Sequence, residues 1–253
     1  MDIKVSVILP TYNEKDNIGD LVLAIDKEVQ ASKEIIVVDD DSPDGTSQII
    51  QKMIDQHQVL NLRLITRKQD KGLTNSIWEG IQQAHGEIVL WMDCDFSMPP
   101  KDIPRLLKKI DEGNDVAVGS RFVKGGSFKE DTSDSEDSWL AVVLSRLMNV
   151  FIRMMLGRDF KDYTSGFIAI KRSIFDKITL TGDYGEYFID LIVRAKLFNF
   201  KIIEIPYTCL PREKGESKTG SNLSDYIKRG SKYVWVTLKL FKLRMKYKFF
   251  RIV

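Results

Sequence analysis

Apolar and polar positions divide this chain into short β-branched runs separated by longer amphipathic stretches. Residues 3–10, IKVSVILP, stop at Pro10, and comparable runs recur at 34–40 (EIIVVDD), 62–66 (LRLIT), 87–93 (EIVLWMD) and 115–122 (DVAVGSRF). Between them apolar residues return every three or four positions, the period of a helix. The pattern predicts a helix capped by Asn13 or Asp16 and another within 44–57 entered through a Pro-Asp-Gly turn. It predicts two more, over 75–86 closed by Gly86 and over 99–113 closed by Gly113. Continuous apolar strands alternating with helices imply a parallel sheet buried on both faces. Ligands of such sheets bind beyond the carboxyl ends of the strands. Pro10, Asp39, Asp40, Asp93, Asp95 and Arg121 all fall at those ends.

The second half is less regular. Residues 122–137 read as a loop, and its last eight, 130–137, hold five acids and no base, the pattern of a solvated segment. A long helix is predicted over 138–156, then a strand in YTSGFIAIK, a helix over 186–198 and a strand over 201–210. A polar loop leads to a basic terminal helix. The expected division is a body of residues 1–222 and an amphipathic helix of 223–253. There is no internal repeat.

Charge sharpens that division. The net charge is +2, but residues 226–253 carry nine Lys or Arg and no acid, leaving 29 bases against 36 acids elsewhere. A basic, aromatic-rich end on an acidic body suits an anionic surface; no nucleic-acid reader motif accompanies it, so nucleic acid is not the expected partner. No stretch reaches the ~18 uncharged apolar residues of a membrane-spanning helix, and residues 3–10 are too short and strand-like for a signal peptide. Two cysteines, Cys94 and Cys209, form no disulfide framework and suggest a reducing compartment. His57 and His85 lack metal-ligand spacing and read as surface residues in helical stretches.

Three stretches carry candidate chemistry. In MDCDFSMPP, Asp93 and Asp95 lie one residue apart, on the same side of an extended chain. Their repulsion calls for a positive partner, most simply a hard divalent cation such as Mg²⁺ or Mn²⁺. Ser97 faces the same way and offers a weak oxygen contact. In VVDDDSPDGT, three consecutive acids cannot all serve one cation: one would accept hydrogen bonds from a base or ribose while the others cap the next helix, or all three form only a turn. In PTYNE, Tyr12 offers a ring to stack on a base. Glu14 is either an acceptor or a first-turn acid satisfying a helix dipole.

Taken in order, ILPTYNE, VVDDDSPDGT, KGL, MDCDFSMPP, GSRFVKGG, DYTSGF and REKGESK resemble the dolichyl- and polyprenyl-phosphate sugar transferases of glycosyltransferase family 2, especially the mannosyltransferases. The resemblance runs from about residue 5 to 218. It implies an α/β GT-A fold, Rossmann-like, with a mostly parallel sheet flanked by helices, plus amphipathic interface helices and no transmembrane span. It implies a nucleoside-diphosphate sugar donor, a divalent cation (Mg²⁺ or Mn²⁺) and a lipid-phosphate acceptor. The expected activity is metal-dependent transfer of a hexose, foremost mannose from GDP-mannose, with inversion. The alternatives are UDP-glucose or UDP-N-acetylhexosamine as donor, or a silent nucleotide-sugar-binding membrane subunit.

Carried over by position, the resemblance implies that Pro10, Tyr12, Glu14, Val38 and Asp40 hold the nucleoside. Asp93, Cys94 and Asp95 would line the diphosphate and sugar, with Asp95 the chief metal ligand beside Ser97. Arg121 would approach the reacting phosphates, Arg212 and Lys218 would meet the donor, and Arg121 and Arg146 would receive the acceptor phosphate. Asp162 would orient the acceptor side, serve as a base or simply pin the YTSGF turn. The chain departs from the family's pattern at Cys94, Thr74, Ser97 and Ile168. Residues 1–222 would then be the catalytic domain, and 223–253 a membrane-interface or partner-binding helix. The expected location is peripheral, on the cytoplasmic face of a membrane, and the resemblance leaves room for a small membrane partner subunit.

Overall fold

The structure is a computed structural model, and it describes residues 3–129, 136–212, 214 and 223–250. Four β/α steps and a fifth strand open the chain. They are β1 (Val5–Thr11), α1 (Ile18–Glu28), β2 (Lys33–Asp39), α2 (Thr46–Asp55), β3 (Leu62–Thr66), α3 (Leu73–Gln82), β4 (Ile88–Trp91), α4 (Ile103–Asp111) and β5 (Val116–Ser120). There follow β6 (Ser127–Phe128), α5 (Glu136–Leu156), β7 (Ile168–Lys171), α6 (Tyr187–Leu197), β8 (Ile202–Pro206), β9 (Thr208–Cys209) and α7 (Leu223–Phe250).

Seven strands make one sheet in the order β3-β2-β1-β4-β7-β5-β8, and β6 and β9 form a separate parallel pair. All pairings in the large sheet are parallel except those of β7, which runs antiparallel between β4 and β5. Side chains alternate between two cores, as strand geometry requires. Val5, Val7 and Leu9 of β1 face α1, α2 and α4, whereas Ile8 faces α3 and the layer of α5, α6 and α7.

Each helix covers the sheet because its apolar residues fall on one stripe. Ile18, Leu21, Val22 and Ile25 of α1 are fully buried, and Ile103, Leu106, Leu107 and Ile110 do the same for α4. At about 1.5–3 kcal/mol per buried aliphatic side chain, such a stripe outweighs local propensity. α3 approaches β1 closely only because residue 80 is glycine: a Cβ there would lie 2.4 Å from Cγ2 of Ile8.

Two helix ends differ from expectation. α1 starts after Asn17, not at Asn13 or Asp16, because Asn13 takes a left-handed φ of 55° within the preceding turn. α3 ends at Gln82 with Gln83 as its C-cap, three residues before Gly86. Gly86 instead packs against the start of β1, where a Cβ would lie 2.6 Å from the Ser6 nitrogen. The Pro-Asp-Gly entry to α2 is present, with Gly45 at φ 98° and Asp44 accepting from the Thr46 N–H at 2.9 Å. Gly113, at φ 94°, follows the end of α4.

Among the described residues no helix is long and apolar enough to cross a membrane. α7 lays one face on the body, burying Thr237 and Leu240, and Lys232 pairs with Asp183 at 2.6 Å. The expected boundary at residue 222 and the acidic stretch 130–135 lie outside the described residues.

Candidate active site

β1 lies between β2 and β4, and the chain leaves it in opposite directions, first to β2 and β3 and later to β4. Such a reversal of strand order opens a crevice at the carboxyl ends. Register brings Thr11 beside Asp39, and Ile8 beside Trp91 just before Asp93.

The three consecutive acids separate by environment. Asp39 is fully buried and accepts from the hydroxyls of Thr11, Ser42 and Ser47, so it holds the turn together. Asp40 accepts from Arg67 and the Ser76 hydroxyl, both at 2.8 Å, and from the Gly72 N–H at 2.6 Å. Asp41 is exposed and pairs with Lys71 at 3.2 Å. None of the triple caps α2: its N-cap residue is Gly45, and the carboxylate that accepts from Thr46 is Asp44.

The Asp93–Asp95 segment is not an extended strand. β4 ends at Trp91, and Phe96 has a φ of 63°. The turn is fixed by the Cys94 thiol on the Pro10 carbonyl (3.4 Å), the Ser97 N–H on Asp95 Oδ1 (3.0 Å) and the Leu210 N–H on the Ser97 carbonyl (2.9 Å). Asp95 is buried, whereas Asp93 keeps an accessible surface. The cleft walls nevertheless desolvate Asp93, which together with the neighbouring Asp95 raises its pKa, while Arg212 and Arg121 pull it down.

Arg212 bridges two of the cleft's acids. It lies 2.9 Å from Asp95 Oδ2 and 3.1 Å from Glu14 Oε1. Burial works against its charge, but Asp95 and Glu14 raise its pKa. Arg121, at the end of β5, meets fully buried Asp162 through Nε at 2.9 Å and Nη2 at 2.8 Å. Its Nη2 also reaches the Thr164 carbonyl at 2.7 Å. The Arg121 and Arg146 guanidinium carbons lie 5.1 and 5.6 Å from the centre of the Phe128 ring, so one aromatic residue gathers both.

Among the described residues no group of three or more His, Cys, Asp or Glu is arranged to hold a metal by itself. The residues present still suit a hard cation. Asp93 and Asp95 are oxygen donors, and the Arg212 guanidinium already sits on Asp95 as a stand-in positive charge. Phosphate oxygens and water would complete the shell.

The sequence profile described as Glycosyl transferase family 2 matches residues 6–179, more than half of the chain. The chain belongs to that family. Among curated relatives, "Dolichol-phosphate mannosyltransferase" of Pyrococcus furiosus is 34% identical over 89% of this chain and 62% of its own length. This chain thus spans less than two thirds of that relative. "Polyprenol monophosphomannose synthase" of Mycolicibacterium smegmatis is 35% identical over 87% of this chain and 82% of its own. Among solved structures, glucosyl-3-phosphoglycerate synthase from Mycobacterium tuberculosis, in complex with Mn²⁺, UDP and glucosyl-3-phosphoglycerate, superposes with a TM-score of 0.69. It covers 95% of this chain and 80% of that one at 18% identity, a likeness of fold, and the fold is GT-A.

On this family's fold, most of the residues singled out from sequence converge on one cleft mouth, at the ends of β1, β2, β4 and β5. Tyr12 is 45% exposed there. Val38 is fully buried, and its carbonyl accepts from the Thr11 hydroxyl at 3.4 Å. Ser97 touches Asp95 through its N–H. Lys218 lies outside the described residues. Sequence reasoning missed Arg67, which holds Asp40. Its signal was a cation directly after the third strand. It also missed Asn17, whose amide donates to Glu14 Oε2 at 3.0 Å.

A second surface lies on α5 and α7. Leu147, Val150 and Met154 of α5 are exposed at helical spacing, as are Trp235, Leu238 and Met245 of α7. Lys239 stacks on the Trp235 ring at 5.3 Å.

Proposed function

We propose that the chain transfers a hexose, mannose from GDP-mannose in the first instance, to a dolichyl or polyprenyl phosphate at a membrane surface, with inversion. The observation that carries this reading is the acid cluster of Glu14, Asp93 and Asp95 at the strand ends, countered by Arg212 and flanked by Arg121. The two relatives, whose names specify lipid-phosphate mannosyl transfer, support the choice of sugar and acceptor.

A phosphate acceptor needs little deprotonation near neutral pH, since its second pKa is about 6. The difficulty is to bring two anions together, and cations answer it. Bound at Asp95, with Asp93 and Ser97 beside it, Mg²⁺ or Mn²⁺ would neutralise the donor diphosphate and stabilise it as the leaving group. Tyr12 stacks on the base, Glu14, Asp40, Pro10 and Val38 frame the nucleoside, and Cys94 lines the sugar side. Arg212, with Lys218, meets the donor, and Arg121 and Arg146 receive the acceptor phosphate. Asp162 is a positioning residue in this scheme. It is fully buried and accepts from Arg121 and from the backbone and hydroxyl of Thr164. In this reading Asp162 aligns Arg121 and pins the turn, in preference to serving as a base.

The acceptor's prenyl chain cannot leave the bilayer cheaply, at ~0.8 kcal/mol per methylene. The exposed apolar stripes of α5 and α7, with Lys239, Lys242 and Lys246 on α7, suit a peripheral position in the headgroup region on the cytoplasmic face. A small membrane partner would occupy the same surface.

A donor panel tests the proposal. Radiolabelled GDP-mannose, UDP-glucose and UDP-N-acetylhexosamine are each incubated with a short polyprenyl phosphate, with and without Mg²⁺ or Mn²⁺. Metal-dependent label from GDP-mannose in the lipid phase is expected. Label from a UDP-sugar alone would change the donor, and label only in water-soluble product would reject the lipid acceptor.

A further inference from the structure

Arg212 occupies an unusual electrostatic position. Its Nη1 and Nη2 reach different carboxylates, Glu14 at 3.1 Å and Asp95 at 2.9 Å, which have side-chain exposures of only 6% and 11%. The remaining oxygens are engaged as well. Asp95 Oδ1 takes the Ser97 N–H, and Glu14 Oε2 takes the Asn17 amide, both at 3.0 Å. The same Asn17 amide donates to the Lys214 carbonyl at 3.0 Å, so the segment carrying Arg212 is fastened to the start of α1. One guanidinium therefore serves two nearly buried acids, and on Asp95 it takes the oxygen that the Ser97 N–H leaves open.

A divalent cation approaching Asp95 Oδ2 meets a positive group already bonded to that atom. Two cations do not share one carboxylate oxygen at bonding distance without strong repulsion in a part-buried site. Displacing Arg212 with nothing to receive it breaks both of its ion pairs and leaves the guanidinium without a partner. A diphosphate changes this, because its oxygens accept a forked guanidinium pair in the geometry arginine favours. Resting on the metal and donor reading above, we propose that Arg212 is an internal counter-ion that keeps the divalent cation off Asp95 until a nucleoside diphosphate arrives to take the guanidinium over. Metal and nucleotide then bind cooperatively, and linkage makes the effect reciprocal: each tightens the other by the same factor.

The test is Mn²⁺ binding by the full chain, read from the electron paramagnetic resonance signal of free Mn²⁺, with thermal melting to verify folding. Wild type, Arg212→Ala and Arg212→Lys are titrated with Mn²⁺ alone and again with GDP or UDP present. Wild type should bind Mn²⁺ alone weakly. Arg212→Ala should bind it at least tenfold more tightly, and Arg212→Lys should fall between, since an ammonium cannot fork across both acids. Nucleotide should tighten Mn²⁺ more in wild type than in Arg212→Ala. Should Arg212→Ala fail to fold, Arg212→Lys carries the comparison. If wild type binds Mn²⁺ with nucleotide but neither variant binds Mn²⁺ alone more tightly than wild type, this inference fails and the metal reading stands. If no variant takes up Mn²⁺ under either condition, the metal reading fails and this inference with it.

Discussion

Arg121 shows how much a single side chain depends on its neighbours. Its guanidinium is held by Asp162 and Thr164 and rests against Phe128. A lysine keeps the charge but loses the fork, so Arg121→Lys should lower kcat/KM by about 10²-fold, the scale of losing one preorganised donor. Asp162→Asn should cause a comparable loss, and the double variant should be little worse than either, because both changes break one unit. Steady-state kinetics on the three variants checks this. Glu34, far from the cleft, is a purely structural case. Burial alone would raise its pKa, but donors from Ser6, the His85 backbone, Arg63 and the His85 ring lower it to about 2. A depressed folded-state pKa gives stability that is present above the ordinary value near 4.5 and lost as pH falls through about 2. Glu34→Gln should therefore be less stable at pH 7 by roughly 3 kcal/mol, and its unfolding free energy should fall less steeply between pH 4.5 and 2. Urea melts across that range provide the measurement.

At the scale of elements, the contact between α3 and β1 is the sharpest constraint. Gly80→Ala would place a methyl 2.4 Å from Ile8, and overpacking of this kind typically costs about 1–3 kcal/mol. A lower melting temperature without loss of secondary structure is the expected result. The strands and most helices were legible in the sequence because their periodicities are strong, and the strand LRLIT was read to the residue. The antiparallel insertion of β7 was not legible. IAIK is equally apolar in either direction, and its orientation is set by partners 50 to 83 residues away. Helix ends were misread where local side chains competed, as at Asn13, or where a glycine was reserved for close packing, as at Gly86. Acids at the strand ends were legible as a group, but their division of labour was not. Which of Asp39, Asp40 and Asp41 is tied to the protein depends on Thr11, Ser47, Arg67 and Gly72, which only folding brings near.

For the whole molecule, the proposed function predicts that the acidic body and basic terminal helix give it a definite orientation on a bilayer. The exposed stripes of α5 and α7 face outward while the opposite sides of the same helices cover the sheet. Flotation with anionic vesicles should recover the protein, and recovery should fall as salt rises. Replacing Trp235 and Leu238 together by alanine should weaken partitioning by roughly tenfold or more, given the apolar area removed. Equal flotation on neutral and anionic vesicles would contradict the electrostatic part of this picture. The proposed sugar transfer depends above all on Asp95, the carboxylate that would hold the cation of the donor diphosphate. The most direct measurement is lipid-extractable mannosyl product from wild type and from Asp95→Ala, both with native melting profiles, in the presence of Mg²⁺ or Mn²⁺. Product from wild type and none above background from the variant is predicted; equal product from both would contradict it.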